Sequence, residues 1–215
     1  MKISASTNPP EIALLKSYIS SLNMKDIDFI HADIMDGKFV ESKTFDHKMI
    51  AKLREVTSIP FDVHLMTLSP QRKIKKYVKA GADIVTVHYE AFKKEKQLIK
   101  TLQRIRKLGA FAGLSFRPDT SVEKILPYLS YVDVLLVMSV MPGKSGQTFM
   151  PETLQKIEQI NAYLLAEDLS LAVEVDGGVN DKNISALKAL DVNMVVLGNY
   201  LYSSKNIDES IEKIK

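Results

Sequence analysis

Short apolar segments alternate along the chain with longer stretches in which apolar residues recur every three or four positions. The short segments are rich in β-branched residues and nearly free of polar ones, which is typical of strands buried on both faces of a parallel sheet. The longer stretches have the spacing of helices that bury one apolar face. The predicted strands are Ile3–Ser6, Phe29–Ile34, Phe61–Leu65, Ile84–Val87, Ala112–Phe116, Val134–Val140, Leu171–Val175 and Met194–Leu197.

The predicted helices lie between these strands. The first begins at Pro9 and Pro10, because proline is favoured in the first turn of a helix, and it extends to Leu22. Another begins at His47 with Asp46 as its cap, so we interpret His47 as a surface residue without a chemical role. The other predicted helices are Gln71–Lys79, Lys94–Leu108, Val122–Leu129, Pro151–Ala166, Asn183–Leu190 and Ile207–Ile214.

Eight strands alternating with helices, without a linker or a change in composition, favour a single (β/α)8 TIM barrel over residues 1–215. A doubly wound open sheet would show the same alternation. That fold commonly carries a G-x-G-x-x-G motif after its first strand, and the motif is missing here. The sequence therefore predicts one barrel domain.

Composition restricts the chemistry further. The chain of 215 residues has 46% hydrophobic and 26% charged residues and a formal charge of +3, which indicates a globular protein and suits a small anionic substrate better than nucleic acid. The absence of cysteine excludes disulfides, thiolate metal sites and a cysteine nucleophile. No apolar run is long enough for a membrane helix and no signal peptide is visible. We therefore expect a cytoplasmic protein without nucleic-acid or membrane partners.

Polar residues interrupt the predicted strands near their carboxyl ends, where barrel enzymes build their active sites. His31 and Asp33 are two residues apart, so they share one face of a strand. His64 and Asp176 end two other strands, and the segment 88–90 (His-Tyr-Glu) ends a further one. Each residue alone has an ordinary structural explanation, because a single histidine usually packs and an aspartate before glycine usually caps a turn.

Together these residues favour a metal centre. Two histidines and two aspartates near the carboxyl ends of three strands rarely converge by chance. We therefore predict that His31, Asp33, His64 and Asp176 hold one divalent ion, and imidazole with carboxylate suits Zn, Fe(II), Mn or Co.

Glycine-rich loops follow the last predicted strands. Glycine permits positive φ angles and lets backbone N–H groups approach an anion, and barrels commonly bind phosphate at these loops. We expect Lys144, within the first loop, to be solvated. The candidate phosphate-binding loops are 141–147, 176–179 and 197–199.

Five segments together make the chain resemble the ribulose-phosphate 3-epimerase family over essentially its whole length. They are HADIMDGKFV (31–40), DVHLM (62–66), GADIVTVHYEA (81–91), VMSVMPGKSGQTFMPE (137–152) and EVDGGV (174–179). The resemblance implies a metal-dependent isomerase that interconverts D-ribulose 5-phosphate and D-xylulose 5-phosphate in the pentose phosphate pathway. It also implies a phosphorylated ketose as substrate and a homo-oligomer.

The resemblance also implies roles for individual residues. Asp33 and Asp176 match the acid/base pair as well as metal ligands, Ser6 matches an active-site serine, and His64 is expected to contact the substrate as well as the metal. The residues that fall on the phosphate-binding segments of the family are Gly143, Gly146, Gly177, Gly178, Gly198 and Asn199. The methionines that match the lining of the substrate pocket are Met35, Met66 and Met138.

The chain departs from the family pattern at four places, none of which is a predicted metal ligand. Segment 7–10 (Thr-Asn-Pro-Pro) replaces an apolar run, and Glu41-Ser42 replaces Pro-Asn. The loop 143–146 reads Gly-Lys-Ser-Gly instead of Gly-Phe-Gly-Gly, and Asn199 replaces a common serine. These differences bear on which substrate is bound and on whether the loop 143–146 closes over it. They do not affect the type of reaction that the resemblance implies.

Three other functions are considered for this chain, and sequence features argue against two of them. A 3-epimerase of another ketose phosphate, such as allulose 6-phosphate, would use the same metal and bases. A decarboxylase or aldolase of the same barrel group needs an Asp-x-Lys-x-x-Asp pattern, whereas segment 31–36 contains no lysine. A non-catalytic sugar-phosphate-binding barrel would be favoured by loss of a ligand, and all four are present.

Overall fold

The computed structural model describes residues 1–8, 11–23 and 25–215. Eight parallel strands form a closed barrel in which each strand pairs with its neighbours in sequence and the last pairs with the first. The predicted TIM barrel is therefore confirmed. The strands are β1 (Lys2–Ser6), β2 (Phe29–Met35), β3 (Phe61–Met66), β4 (Ala82–His88), β5 (Phe111–Phe116), β6 (Val134–Met138), β7 (Ala172–Asp176) and β8 (Met194–Leu197).

Helices cover the outside of the barrel, and none among the described residues combines the length and apolar character that crossing a membrane requires. Pro9 and Pro10, at the predicted start of the first helix, lie outside the described residues. The helices are α1 (Leu15–Leu22), α2 (His47–Arg54), α3 (Ile74–Lys79), α4 (Glu95–Lys107), α5 (Glu152–Ala166), α6 (Ile184–Ala189), α7 (Asn199–Tyr202) and α8 (Ile207–Ile214).

The capping of α2 follows the prediction from sequence. The Asp46 carboxylate accepts a hydrogen bond from the backbone N–H of Lys48. The His47 ring lies edge-on to Tyr77 at a centroid distance of 5.9 Å. His47 is therefore a partly buried packing residue on the outside of the barrel.

The predicted helix Val122–Leu129 is wrong. This segment forms two short 3-10 helices, Val122–Lys124 and Leu126–Tyr131. The reason is Pro127, which has no N–H to donate and whose ring would clash with the carbonyl of Glu123 in an α-helix. The barrel thus has no α-helix between β5 and β6.

Two other predicted elements are too long. The segment Gln71–Lys79 is a 3-10 turn at Pro70–Arg72 followed by the shorter α3. β6 ends at Met138 instead of Val140, and at the next residue the Ser139 hydroxyl donates to the backbone carbonyls of Asp176 and Gly177. The chain leaves the barrel there and begins the loop that borders the candidate site.

The interior of the barrel changes from apolar to polar along its axis. Ile84, Val134 and Met194 form an apolar cluster near the amino-terminal ends of their strands. Further along, the inward positions of β2, β3 and β7 carry ionisable side chains with no solvent exposure, among them His31 and Glu174. Outward strand residues pack against the helices in the main core. The polar groups are thus concentrated toward the carboxyl ends of the strands.

Strand register places the predicted site residues at one height. Asp33 on β2 lies beside His64 on β3. Ser6 on β1 lies beside His31, and Met138 on β6 lies beside Asp176 on β7. Because all strands are parallel, these positions meet at the carboxyl-terminal mouth of the barrel.

Candidate active site and metal centre

The four predicted metal ligands converge at the mouth of the barrel. One ligand atom of each of His31, Asp33, His64 and Asp176 lies within 4.8 Å of the others. Asp33 Oδ1 is 3.5 Å from His31 Nε2 and 3.3 Å from His64 Nδ1. Asp176 Oδ2 is 3.8 Å from His31 Nε2 and 3.9 Å from His64 Nδ1. Two nitrogens and two carboxylate oxygens therefore surround one point.

This arrangement fits a divalent cation. His31 Nε2 and His64 Nδ1 are buried and have no hydrogen-bond partner in the described structure, although an unsatisfied buried polar atom is costly. Metal–ligand bonds of about 2.0–2.2 Å in a tetrahedral site give ligand–ligand distances of about 3.3–3.6 Å, close to those observed. The buried His/Asp cluster could therefore bind a metal ion.

Further polar contacts hold two of these side chains from behind. The Ser6 hydroxyl donates to Asp33 Oδ2 over 3.0 Å, which leaves Oδ1 directed toward the histidines. Asp62 Oδ2 lies 2.5 Å from His31 Nδ1. With Nδ1 hydrogen-bonded to a carboxylate, Nε2 is the nitrogen free to ligate, as is common for histidines that bind metals.

The two aspartates of the site have different pKa values in the metal-free protein. Burial by itself would raise the pKa of Asp33, but the positive charge of His31 outweighs this effect and holds the pKa well below its usual range. Burial raises the pKa of Asp176 to about 7, against the opposing charge of His31. One carboxyl is therefore ionised at neutral pH while the other is close to half protonated.

The histidine pKa values also differ. Burial lowers the pKa of His31, but Asp62 and Asp33 outweigh this effect and raise it well above its usual range. Burial lowers the pKa of His64. His64 is therefore the neutral imidazole of the pair before any cation binds.

A cavity of about 780 Å³ opens above this cluster. Asp33 and Asp176 line it, whereas His31 and His64 have no solvent exposure and are not among its lining residues. The structure thus places His64, which was also predicted to bind the substrate, with the metal cluster and not on the cavity wall. The loops after β6, β7 and β8 form much of its wall. The predicted substrate-binding residues that line the cavity are Ser6, Met35, Met66, Met138, Gly143, Gly146, Gly177, Gly178, Gly198 and Asn199.

Glycine is required where the loop after β7 passes the loop after β6. Gly178 has a φ of +65°, and a Cβ there would lie 2.5 Å from the backbone nitrogen of Phe149. Gly177 has a φ of +125°, and its Cβ would meet Val140 at 2.5 Å. The two loops can therefore lie in direct backbone contact only with glycine at both positions.

We expect Gly178→Ala to destabilise the fold more than Gly146→Ala. Both glycines have positive φ, but a Cβ at Gly146 would meet nothing within 4 Å. The Gly146 variant therefore carries only the backbone cost, about 1 kcal/mol. The Gly178 variant adds a clash with backbone and should lower the melting temperature by several degrees more in a thermal denaturation experiment. Equal melting temperatures would show that the loops separate without cost.

Sequence reasoning assigned no role to several residues near the site. Asp62 and Glu174 are fully buried inside the barrel, where burial and the nearby Asp62 charge raise the pKa of Glu174 well above its usual range. Each stands two positions before a predicted ligand, and this i, i+2 spacing was the available signal.

Lys182 and Lys213 also line the cavity. No pattern in the sequence marked these lysines, since they come from a loop and from the distant α8.

The fourth polar strand end, 88–90, lies directly behind the cluster. His88 Nε2 is 2.8 Å from His64 Nε2, and His88 Nδ1 is 3.2 Å from Glu90 Oε2. Burial lowers the pKa of His88 to about 4. His88 is therefore a neutral neighbour of the cluster.

Three of the four sequence departures contribute residues to the cavity wall, and Glu41-Ser42 does not. Asn8 lines it, and its backbone N–H donates to the Ser6 hydroxyl over 3.1 Å. Lys144 is exposed in the loop after β6, as predicted, and Asn199 is the first residue of α7. None of these residues belongs to the four-residue cluster.

Two similarities to solved structures concern the fold alone. The chain superimposes on a 3-hexulose-6-phosphate synthase with a TM-score of 0.73 and 12% sequence identity, over 100% of this chain and 98% of that one. For a 3-keto-L-gulonate-6-phosphate decarboxylase from Vibrio cholerae, the TM-score is 0.72 at 11% identity, over 99% of this chain and 94% of that one. These proteins share the barrel architecture with the present chain.

Sequence relatives are more specific. A chloroplastic ribulose-5-phosphate-3-epimerase of Arabidopsis thaliana is 35% identical over 213 residues, covering 99% of this chain and 75% of the plant protein. A ribulose-phosphate 3-epimerase of Mycobacterium bovis is 40% identical over 177 residues, covering 82% and 76% of the two chains. The model of the ribulose-phosphate 3 epimerase family matches residues 2–202. The chain therefore belongs to the ribulose-phosphate 3-epimerase family.

Proposed function

We propose that this protein is a metal-dependent 3-epimerase that interconverts D-ribulose 5-phosphate and D-xylulose 5-phosphate. The observation that carries the proposal is the pair of carboxyls, Asp33 on β2 and Asp176 on β7, which line one cavity beside two unpartnered histidine nitrogens. The strands that carry them are separated around the barrel by β1 and β8. The two groups can therefore address a bound sugar from different sides.

The reaction requires two proton-transfer groups. Epimerisation at the carbon next to a ketone removes a weakly acidic C–H proton from one face and returns a proton to the other. One base cannot reach both faces, so two acid/base groups must flank the substrate. Asp33 and Asp176 both line the cavity, so one carboxylate can accept the proton from one face while the other carboxyl, in its protonated form, returns a proton to the opposite face. Exchanged roles serve the reverse reaction.

The surroundings of the carboxyls support this chemistry. A divalent cation held by His31, Asp33, His64 and Asp176 would supply positive charge beside the oxygen that becomes negative when the proton leaves. Ser6 holds Asp33 in place by its hydrogen bond. The thioether side chains that line the cavity exclude water without competing for hydrogen bonds. They belong to Met35, Met66 and Met138.

The loops that line the cavity suit a phosphate group. The glycine-rich loops after β6 and β7 and the start of α7 line it, and loops and helix starts of this kind can supply unpaired backbone N–H groups to an anion. Lys182 and Lys213 line the same cavity and add positive charge. Anchoring the phosphate at these loops would position the reacting carbon near the carboxyls.

Proton NMR of ribulose 5-phosphate in deuterated water, with protein supplied with Mn(II), Co(II) or Zn(II), tests the proposal. We expect xylulose 5-phosphate to form with deuterium at C3, because the carboxyl that returns a proton to the opposite face carries a deuteron acquired from the solvent. Absence of both product and exchange, with the cation bound, would contradict the proposed function.

The same experiment examines the alternatives. Exchange at C3 of allulose 6-phosphate without exchange in ribulose 5-phosphate would make the enzyme a hexulose-phosphate epimerase. Bound cation with no exchange in either sugar would favour a non-catalytic sugar-phosphate-binding barrel.

Two further proposals accompany this assignment. We propose that residues 1–215 form one domain, because the barrel closes between β1 and β8 without an intervening linker. We also propose that the chain assembles into a homo-oligomer, as its resemblance to the family implies.

A further inference from the structure

A chain of hydrogen bonds leads away from His64 on the side opposite the cation site. His64 Nε2 lies 2.8 Å from His88 Nε2, and His88 Nδ1 lies 3.2 Å from Glu90 Oε2. The two rings are close to parallel, with centroids 4.9 Å apart. Both histidines have no solvent exposure. Water therefore cannot replace either partner in this chain.

At Glu90, the end of this series of hydrogen bonds, it is clear which group donates and which accepts. Glu90 Oε1 accepts hydrogen bonds from the Arg117 backbone N–H over 2.8 Å and from the Thr120 hydroxyl over 2.5 Å. Burial by itself would raise the pKa of Glu90, but His88 and these donors outweigh it and hold the pKa at about 2. Glu90 is therefore a carboxylate, which can only accept hydrogen bonds.

Because Glu90 can only accept, the positions of the ring hydrogens on His88 and His64 follow in turn. An accepting Glu90 requires a hydrogen on His88 Nδ1, and only one hydrogen fits between the two Nε2 atoms 2.8 Å apart. Because the His88 ring has no solvent exposure, a second hydrogen and its charge would be costly, so His88 Nε2 carries a lone pair. His64 must then donate from Nε2, and its own lone pair lies on Nδ1. That nitrogen is the one 3.3 Å from Asp33 Oδ1, buried and without a hydrogen-bond partner.

We propose that His88 and Glu90 are positioning residues that hold His64 in the tautomer protonated on Nε2, with the Nδ1 lone pair toward the cation site. The consequence for metal binding rests on the metal centre proposed above. The opposite tautomer would place an N–H group at the point where the cation lies. Neither residue needs to touch the substrate in this role.

The other candidate ligand shows the same principle with a shorter connection. His31 is held directly by a carboxylate, Asp62, at 2.5 Å. For His64, the carboxylate is that of Glu90, and the His88 ring lies between the two. Metal-binding histidines usually direct their second nitrogen to a carboxylate or carbonyl, and His88 extends that arrangement to the neighbouring strand β4.

Loss of activity alone would not test this role, because Glu90 also holds the loop after β5 through Arg117 and Thr120. The matched pair Glu90→Gln and Thr120→Val separates the two functions. The glutamine has nearly the same shape but can donate to His88, which exchanges donor and acceptor in the hydrogen bonds from residue 90 through His88 to His64. The Thr120 variant loses a loop contact but leaves the bond between His88 and Glu90 in place.

The decisive measurement is the tautomer of His64 in the metal-free protein at neutral pH, read from two-bond ¹H–¹⁵N correlations of the imidazole rings. The chain has 4 histidines, so the spectrum of His64→Ala assigns the signal. We expect Nε2–H in the wild type and in Thr120→Val, and a shift toward Nδ1–H in Glu90→Gln. Chelator competition with Co(II) should show affinity about 10- to 100-fold lower in Glu90→Gln.

Two results would overturn the proposal. One is a wild-type His64 protonated on Nδ1, a result that does not depend on Glu90→Gln and decides even if that variant fails to fold. The other is a Glu90→Gln protein with the wild-type His64 tautomer. A wild-type protein that binds no Co(II) would instead refute the metal centre, and the tautomer would still decide the positioning role.

Discussion

Replacing Asp176 by asparagine is expected to abolish epimerisation while leaving the barrel intact. The amide cannot exchange protons with the substrate near neutral pH, so one of the two faces loses its acid/base group. Proton transfer by a positioned side chain is worth about 10²–10⁴-fold in rate. We therefore expect kcat for ribulose 5-phosphate to fall at least about 10³-fold, measured by a coupled assay at saturating cation and by deuterium incorporation at C3.

The fold should survive because no hydrogen bond within the described structure depends on the Asp176 carboxylate, whereas its backbone carbonyl accepts from Ser139. Folding raises the pKa of this carboxyl to about 7. An acid with a raised pKa destabilises the folded state as pH rises from its ordinary value to the raised one. At pH 8 that cost is fully present, so metal-free Asp176→Asn should melt no lower than the wild type.

Asp168→Asn is the matched control for this variant. Asp168 is exposed at the end of α5 with a φ of +51°, a conformation that asparagine tolerates. It should keep full activity. Activity of Asp176→Asn close to that of the control would refute the role of Asp176.

Replacing His64 by alanine is expected to release most of the bound metal. The change removes one of the four ligand atoms that lie within 4.8 Å of one another. Loss of an outer-shell partner alone typically costs about 10- to 100-fold in affinity, so loss of a ligand should cost at least about 100-fold. Metal content after dialysis, measured by mass spectrometry, and chelator competition would show the change.

His47→Ala is the control, because His47 lies outside the barrel against Tyr77. It should retain the wild-type metal content. Circular dichroism would confirm that His64→Ala keeps its secondary structure, since the lost ring leaves a small cavity beside His88. Undiminished metal in a folded His64→Ala protein would show that His64 is not a ligand.

Much of the fold was predictable because strands buried on both faces differ in composition from the helices between them. The β8 segment Met194–Leu197 and the α8 segment Ile207–Ile214 have the bounds that periodicity predicts. The prediction failed at Val122–Leu129, where apolar spacing suggested an α-helix but Pro127 does not permit one. Strand ends were also less predictable, since β6 ends where the Ser139 hydroxyl finds carbonyl partners on the neighbouring loop.

The sequence by itself determined which residues are available for chemistry. It restricted the metal ligands to histidine and carboxylate, and it placed His31, Asp33, His64 and Asp176 at strand ends that a parallel barrel brings together. The five family segments pointed to an epimerase. Residue type and spacing are local properties, so they can be read without a structure.

The tertiary structure alone decided how these groups act on one another. Asp62 behind His31, the link from His64 through His88 to Glu90, and the lysines at the cavity wall all involve contacts between residues distant in the chain. The different pKa values of Asp33 and Asp176 have the same origin, because burial and neighbouring charges depend on which strands close the barrel. These properties arise from three-dimensional packing between distant segments, and residue spacing along the chain does not reveal which segments come into contact.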